Sequence, residues 1–419
     1  MSMRILLAAY GSRGDVQPLV ALGKGLQAAG YTVIVAAGRN FGDWITHNGL
    51  SFEPFTEDIE AAMNTDVGKE WLSNSSGNPM QELANMRKMV QASAPHIVPD
   101  LLRMADCADV FISGMLTLAP FDAIAQATGK RHLVGWLSPV VPTRSGSAGM
   151  QAPLPRANSL VNYGFGYVVE SMLWSIFGDV TNQLRAALKL PPAGRSDYLR
   201  AMNQTPSIAG FSPRVVPPPP DWGAQHRVTG YWTLPAPDYT PPADLAAFLA
   251  AGEAPVYIGF GSMTSTDPAG TMRIMIDALT QAGRRGILHS GWAGLKARDL
   301  PETIHVVDHV PHEWLLPRMA AVVHHGGAGT TGAALQAGVP SLVVAHMGDQ
   351  PYWGRRVYEL GVGAPFIRRV DLTADRLAAA LRAMTTDTAM QARAAELGAA
   401  LRREDGVSAA VRAVGEIVG

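Results

Sequence analysis

A single cysteine, Cys107, occurs in 419 residues, so neither an internal disulfide nor a cysteine-based metal cluster can form. Charge is also scarce. Charged residues make up 16% of the chain and the formal net charge is −1, which gives no global attraction to nucleic acid or to an acidic membrane surface. No stretch reaches the ~18 uninterrupted apolar residues that a membrane span needs. "FGYVVESMLWSIFG" comes nearest, and it is short and holds Glu170. The opening apolar run is broken by Gly11 and is too short for a signal-peptide core. There is no D-x-D triplet, no tandem repeat and, before His47, no histidine. These absences lead us to expect a cytoplasmic chain without a transmembrane segment, and they leave peripheral membrane contact open.

What is present is apolar bulk in a repeating order. Hydrophobic residues make up 47%, enough for two sizeable cores, and the length suits two domains. "RILLAAY" (4–10) reads as a buried strand, and "PLVALGKGLQAAG" from Pro18 to Gly30 as a helix, with Pro18 in its first turn and Gly30 at its C′ position. "YTVIVAA", "ADVFISG" and "HLVGWLSP" read as further strands, with a helix near 117–128. The prolines of "VVPPPPDWG" (215–223) and "TLPAPDYTPPADL" (233–245) exclude a helix or central strand and mark a linker or domain-edge wrap. Then the alternation resumes. "PVYIGFGS", "GILHSG", "IHVVDHV", "AAVVHHGG", "PSLVVAH" and "GAPFI" read as strands with helices between most of them, and "EDGVSAAVRAVGEIVG" as a closing helix. Short apolar strands alternating with helices predict parallel sheets covered on both faces. We expect two doubly wound α/β domains, 1–219 and 243–403, joined by a proline-rich linker at 220–242. The closing helix, 404–419, is expected to cross back to the first domain. Ligands in such sheets bind outside the carboxyl ends of the strands.

Two loops at such ends carry the chemistry. "SRGDVQP" (12–18) follows the first strand and places one carboxylate, Asp15, before a helix. Asp15 there is either a helix cap or a group that takes a proton. "AAVVHHGGAGTTGAALQAG" ends a strand in two histidines, turns through small residues and starts a helix near Thr330. Glycines let a ligand approach the backbone closely, and the free N–H groups at a helix start bind anions. Tight strand–helix packing is the plainer explanation of the turn, but the histidine pair exceeds what packing needs. Gly327, Gly329 and Gly332 also spell a literal G-x-G-x-x-G, with Asp349 at the spacing of a ribose-binding acid. That dinucleotide fingerprint normally opens its domain at the first strand, whereas this turn comes some four strands in.

Here the chain resembles a family. "HHGGAGTTGAALQAGVPSLVVAHMGDQPYWG" is similar to the nucleotide-sugar signature of GT-B glycosyltransferases of the UDP-glycosyltransferase superfamily. "PVYIGFGSM", "DHVPHEWLLP" and "DQPYWGRRVYELGVG" resemble sterol 3-β-glucosyltransferases, and "GSRGDVQPLVALGKGL" resembles both those and glycopeptide-antibiotic glycosyltransferases. The resemblance covers most of the second domain and the first ~50 residues; the stretch from about 55 to 210 carries none. It implies the GT-B fold, two Rossmann-like doubly wound domains facing across a cleft, with the donor on the second. His325 matches the histidine that contacts the diphosphate, with Gly327, Gly329, Thr330 and Thr331 as helix-start donors and Ser262 near the phosphates. His309 stands where a tryptophan is usual and would stack on the base, and Val310 would offer main-chain bonds to it. Asp349 and Gln350 match the acid–amide pair that holds sugar hydroxyls. His309 as an edge histidine and Asp349 as a helix cap remain alternatives. Asp15 matches the candidate base of the acidic members, with Asp349 the second candidate if the acceptor enters from its side, and Arg13 would position phosphate or acceptor or is simply solvated.

The implied reaction is an inverting transfer of glucose from UDP-glucose to a hydroxyl of a lipophilic, sterol-like small molecule, through an oxocarbenium-like transition state. One base and one anion cradle suffice. Without a D-x-D site, catalysis is expected to need no metal and no cofactor beyond the nucleotide sugar. A dTDP-deoxysugar enzyme acting on an antibiotic or glycolipid is the alternative, and a nucleotide-sugar epimerase would be a different class. The first domain should hold the acceptor. Its middle is rich in methionine and aromatic residues, among them Trp71, Met115, Trp136 and Met150, which suit a rigid apolar molecule or simply the core. Phe165, Val168, Val169, Met172 and Ile176 follow helical spacing and are expected to face inward.

Overall fold

The computed structural model describes residues 2–56, 79–235, 239–261, 267–289, 300–308 and 310–419. The chain forms two compact units, Met1–Leu234 together with Asp405–Gly419, and Pro235–Glu404.

The first unit is built on seven parallel strands: β1 (Arg4–Ala9), β2 (Thr32–Gly38), β3 (Ser51–Phe55), β4 (Val110–Ser113), β5 (Arg131–Trp136), β6 (Ser207–Ala209) and β7 (His226–Val228). Their order in the sheet is β3-β2-β1-β4-β5-β6-β7. Successive residues of β1 point to opposite faces, and both faces are covered. Ile5 and Leu7 pack with Leu19, Leu22 and Leu26 of α1 (Arg13–Ala28) and with Val414 and Val418 of the terminal helix Gly406–Val418. Leu6 and Ala8 pack with Leu101, Phe111 and Phe121 on the other side. β7 lies within the proline-rich stretch 220–242; its three residues contain no proline and pair with β6.

Three expectations are corrected here. Helix α1 begins at Arg13, so Pro18 lies inside it rather than in its first turn, and the Gly14 carbonyl goes without its usual donor four residues on. The helix starts early because Ser12 and Asp15 cap it, as described below. Second, on α3 (Leu160–Ala187), which follows α2 (Leu118–Thr128), Phe165, Val168 and Met172 are exposed, while Ile176 faces inward. The buried face also holds Asn162 and Glu170. Glu170 accepts a hydrogen bond from the Tyr198 hydroxyl of α4 (Arg195–Gln204) at 3.2 Å, and burial pushes its pKa up to about 8. A neutral, bonded carboxyl can sit inward, so apolar spacing alone picks the wrong face.

The second unit holds β8 (Val256–Gly259), β9 (Gly286–His289), β10 (Ile304–Val307), β11 (Ala321–His324), β12 (Ser341–Ala345) and β13 (Ile367–Arg368), in the order β10-β9-β8-β11-β12-β13. All neighbours are parallel. The third correction falls on "GAPFI": only Ile367 enters β13, because Pro365 has no N–H to give the ladder.

Candidate functional site

In each sheet the strand order reverses beside the unit's first strand. β1 lies between β2 and β4, and β8 lies between β9 and β11. Such a switch point opens a crevice at the carboxyl ends of the two strands.

In the first unit the chain leaves β1 through Gly11 and Ser12 and enters α1. Ser12 is the N-cap residue, and Asp15 sits three residues on, in the first turn. The Asp15 Oδ2 accepts the Ser12 backbone N–H at 2.8 Å and the Ser12 hydroxyl at 3.1 Å. The carboxylate therefore folds back over Gly11, where an added Cβ would collide with it. Met115, about a third exposed, follows β4 at the same switch point. Trp136 closes β5, the next strand over; its ring is buried and its indole N–H has no partner among the described residues. Met150 is half-buried in the loop beyond β5. Arg13 is exposed, donates to Gln17 at 3.1 Å and lies 5.0 Å over the Trp44 ring. Trp71 lies outside the described residues.

In the second unit β8 leads into Phe260 and Gly261, and β11 into His325, Gly326 and Gly327. Gly261 has φ +59°, and a Cβ there would come within 3.2 Å of the His325 imidazole, so the ring lies against the backbone of the neighbouring loop. Helix α5 (Ala328–Ala337) then starts at N-cap Gly327. The Thr331 N–H and hydroxyl both return to the Gly327 carbonyl at 2.9 Å. The N–H groups of Ala328, Gly329 and Thr330 precede the first helical bond and form the anion-binding end of the helix. Gly329 is exposed and Thr330 half-buried.

The two histidines diverge. His324 is fully buried and its Nδ1 accepts the Gly326 N–H at 3.1 Å. His325 stands at the turn, and its Nδ1 is buried with no partner among the described residues. Burial pushes its pKa down to about 3, with His346 and His312 adding to the effect, so the ring is neutral.

Asp349 accepts the Trp353 indole N–H at 2.8 Å, at the start of α6 (Gln350–Glu359). Gln350 is buried; its Oε1 accepts the N–H groups of His346 at 2.6 Å and Met347 at 3.1 Å, and its Cβ packs close to Gly326. Thus His325, Gly327, Gly329, Thr330 and Gln350 come together around one turn. Val310 is elsewhere in the unit, buried with Val307, Leu315 and Leu316. Ser262 and His309 lie outside the described residues.

One residue here was not singled out from sequence. The His346 ring lies 5.4 Å from that of Phe260, its Nδ1 is 3.0 Å from the Val344 carbonyl, and burial pushes its pKa down to about 4. Like His325 it directly follows a central strand, and that position was the signal.

Known proteins share this construction. Residues 5–103 match the Glycosyltransferase family 28 N-terminal domain, and residues 275–407 the erythromycin biosynthesis protein CIII-like C-terminal domain. Among solved structures, the glycosyltransferase of kitacinnamycin superposes with a TM-score of 0.71 at 19% identity, covering all of both chains. The glycosyltransferase VinC, solved in complex with dTDP, gives 0.68 at 21% identity, over 99% of this chain and 98% of that one. The fold is therefore that of the GT-B glycosyltransferases.

Two sterol 3-beta-glucosyltransferases of Arabidopsis thaliana are 36% and 34% identical over 98% of this chain. The chain covers 65% and 67% of their lengths, and 30% of the length of a fungal counterpart from Emericella nidulans. It belongs to the glycosyltransferase family that contains these sterol 3-beta-glucosyltransferases.

Proposed function

We propose that this chain is a cytoplasmic, inverting, metal-independent hexosyltransferase that moves glucose from UDP-glucose to a hydroxyl of a lipophilic, sterol-like molecule. The observation that carries the reading is the turn at 325–330. A neutral, half-buried imidazole and three helix-start N–H groups meet at the switch point of a parallel sheet. In this reading they hold the diphosphate and stabilise its charge as it departs. An imidazole kept neutral by burial still has one N–H to donate. Ser262 contributes near the phosphates, His309 and Val310 hold the base, and Asp349 and Gln350 set the sugar. The sterol names of the relatives support the acceptor class, and Arg13, Trp71, Met115, Trp136 and Met150 belong to the acceptor side.

Asp15 takes the proton of the attacking hydroxyl. Its bonds to Ser12 fix the carboxylate in one orientation, as a general base requires. Asparagine at 15 keeps an amide oxygen that can accept from the Ser12 N–H and hydroxyl but loses the carboxylate that takes a proton, so Asp15→Asn separates the two roles. We expect turnover to fall by roughly 10²–10⁴, with UDP affinity and thermal stability unchanged. Turnover within a few-fold of wild type would leave Asp15 as a cap alone. The overall reaction is tested by incubating the protein with several nucleotide sugars and a panel of sterols. Nucleotide release that requires acceptor supports the transferase; product without acceptor sinks it. VinC's dTDP makes thymidine donors the second reading, and a titration comparing UDP with dTDP decides between them.

A further inference from the structure

The outer face of α3 has no part in the chemistry proposed above. Val161, Phe165, Val168 and Met172 are 57%, 41%, 49% and 44% exposed. Spaced by four, three and four residues, they form one stripe about 16 Å long. Leu154 and Leu160, also exposed, extend it at the helix start. Beside it, Tyr167, Val168, Met172, Arg195 and Leu199 line a groove of about 550 Å³ between α3 and α4. Contiguous exposed apolar surface of this kind marks an interaction site.

The charge around the stripe says what covers it. Between Trp136, which ends β5, and Glu170 the chain carries Arg144 and Arg156 and no acid, although its acids and bases are nearly equal in number overall, 35 against 34. Asn162 holds the loop that carries both arginines beside the helix start. Its amide N–H groups donate to the carbonyls of Arg144, Leu154 and Ala157, and its oxygen accepts the Leu154 N–H. Arg144, Arg156 and Arg195 are all exposed.

The nearby acids are engaged or neutral. Asp221 accepts from the Thr143 hydroxyl and the Arg144 N–H. Asp197 accepts the Gly194 N–H and pairs with Arg200. Asp179, farther along the helix, pairs with Arg87. Glu170 is buried. An apolar stripe rimmed by arginines matches an interface of acyl chains and anionic headgroups. No helix among the described residues is long and apolar enough to cross a membrane, so this face would lie on the surface.

We propose that the outer face of α3, flanked by Arg144, Arg156 and Arg195, docks on an anionic lipid bilayer. The test needs no sugar donor and so stands apart from the proposed reaction. The whole chain is sedimented with phosphatidylcholine vesicles with and without phosphatidylserine. Binding is expected only with phosphatidylserine, and it should weaken as salt screens the arginines. Arg144→Gln and Arg156→Gln should each weaken it roughly fivefold. The triple variant Val161→Ser, Phe165→Ser, Val168→Ser should lose it by at least about tenfold. Equal binding by the triple variant, or no wild-type binding to phosphatidylserine vesicles, overturns the proposal. So does lipid-free self-association that the triple variant abolishes, because a second copy of the chain would then cover the face.

Discussion

Asp15 shows how much one side chain's meaning depends on where its helix begins. With the helix starting at Pro18, Asp15 would stand before it. With the start at Arg13 it belongs to the first turn and reaches back to the Ser12 N–H. The residue type and its place after a strand were legible in sequence; the contact with Gly11 was not, because it depends on that helix start. Gly11→Ala is the sharpest test of this geometry. A methyl there occupies the space of the carboxylate, which must swing away. We expect kcat to fall roughly 10²-fold, the scale of a reacting group misplaced by about 1 Å, with UDP affinity unchanged. Unchanged kcat in steady-state assays would show that the position of Asp15 does not matter to turnover.

At the scale of elements, the central strands were the readable part. β1, β2, β4, β8, β11 and β12 are short apolar runs, and burial on both faces makes such runs the signature of a parallel sheet. The edges were not readable. β3 carries Pro54, and β6 and β7 have three residues each, too few for any periodicity. In the second unit the readable parts also located the turn after β11, because a strand, a glycine-rich turn and a helix follow without a break. What sequence left out is how that turn is braced. Gln350, matched to sugar hydroxyls by resemblance, also holds the backbone of His346 and Met347 through its Oε1. Gln350→Ala would leave two N–H groups without their acceptor and should destabilise the protein by about 1–3 kcal/mol. Gln350→Glu, which keeps an accepting oxygen, should lose less. Thermal unfolding of the two variants checks this, and equal losses would mean the brace contributes nothing.

For the whole molecule, the buried titratable groups set the pH range in which the fold is most stable. Burial pushes the pKa of His132 and His325 down to about 3 and of His346 to about 4, from an ordinary 6.5. His324, also fully buried, is lowered well below its ordinary value. A depressed histidine stays neutral in the fold but takes a proton when unfolded. Its contribution is intact above pH 6.5 and is lost as pH falls from 6.5 toward the folded value, at up to about 1.4 kcal/mol per pH unit for each group. Glu170 runs the other way. Its pKa is raised from 4.5 to about 8, so its contribution is present below pH 4.5 and is lost as pH climbs from 4.5 toward 8. Below pH 6.5 several histidines oppose one glutamate and the histidines win; between 6.5 and 8 Glu170 acts alone. The melting temperature should therefore peak near pH 6.5, falling steeply on the acid side and gently on the alkaline side. Replacing the core histidine in His132→Phe removes one titrating group and should make the acid limb shallower, whatever it does to the peak height. A melting temperature that keeps rising from pH 6.5 down to pH 5 would mean these imidazoles are not held neutral by the fold.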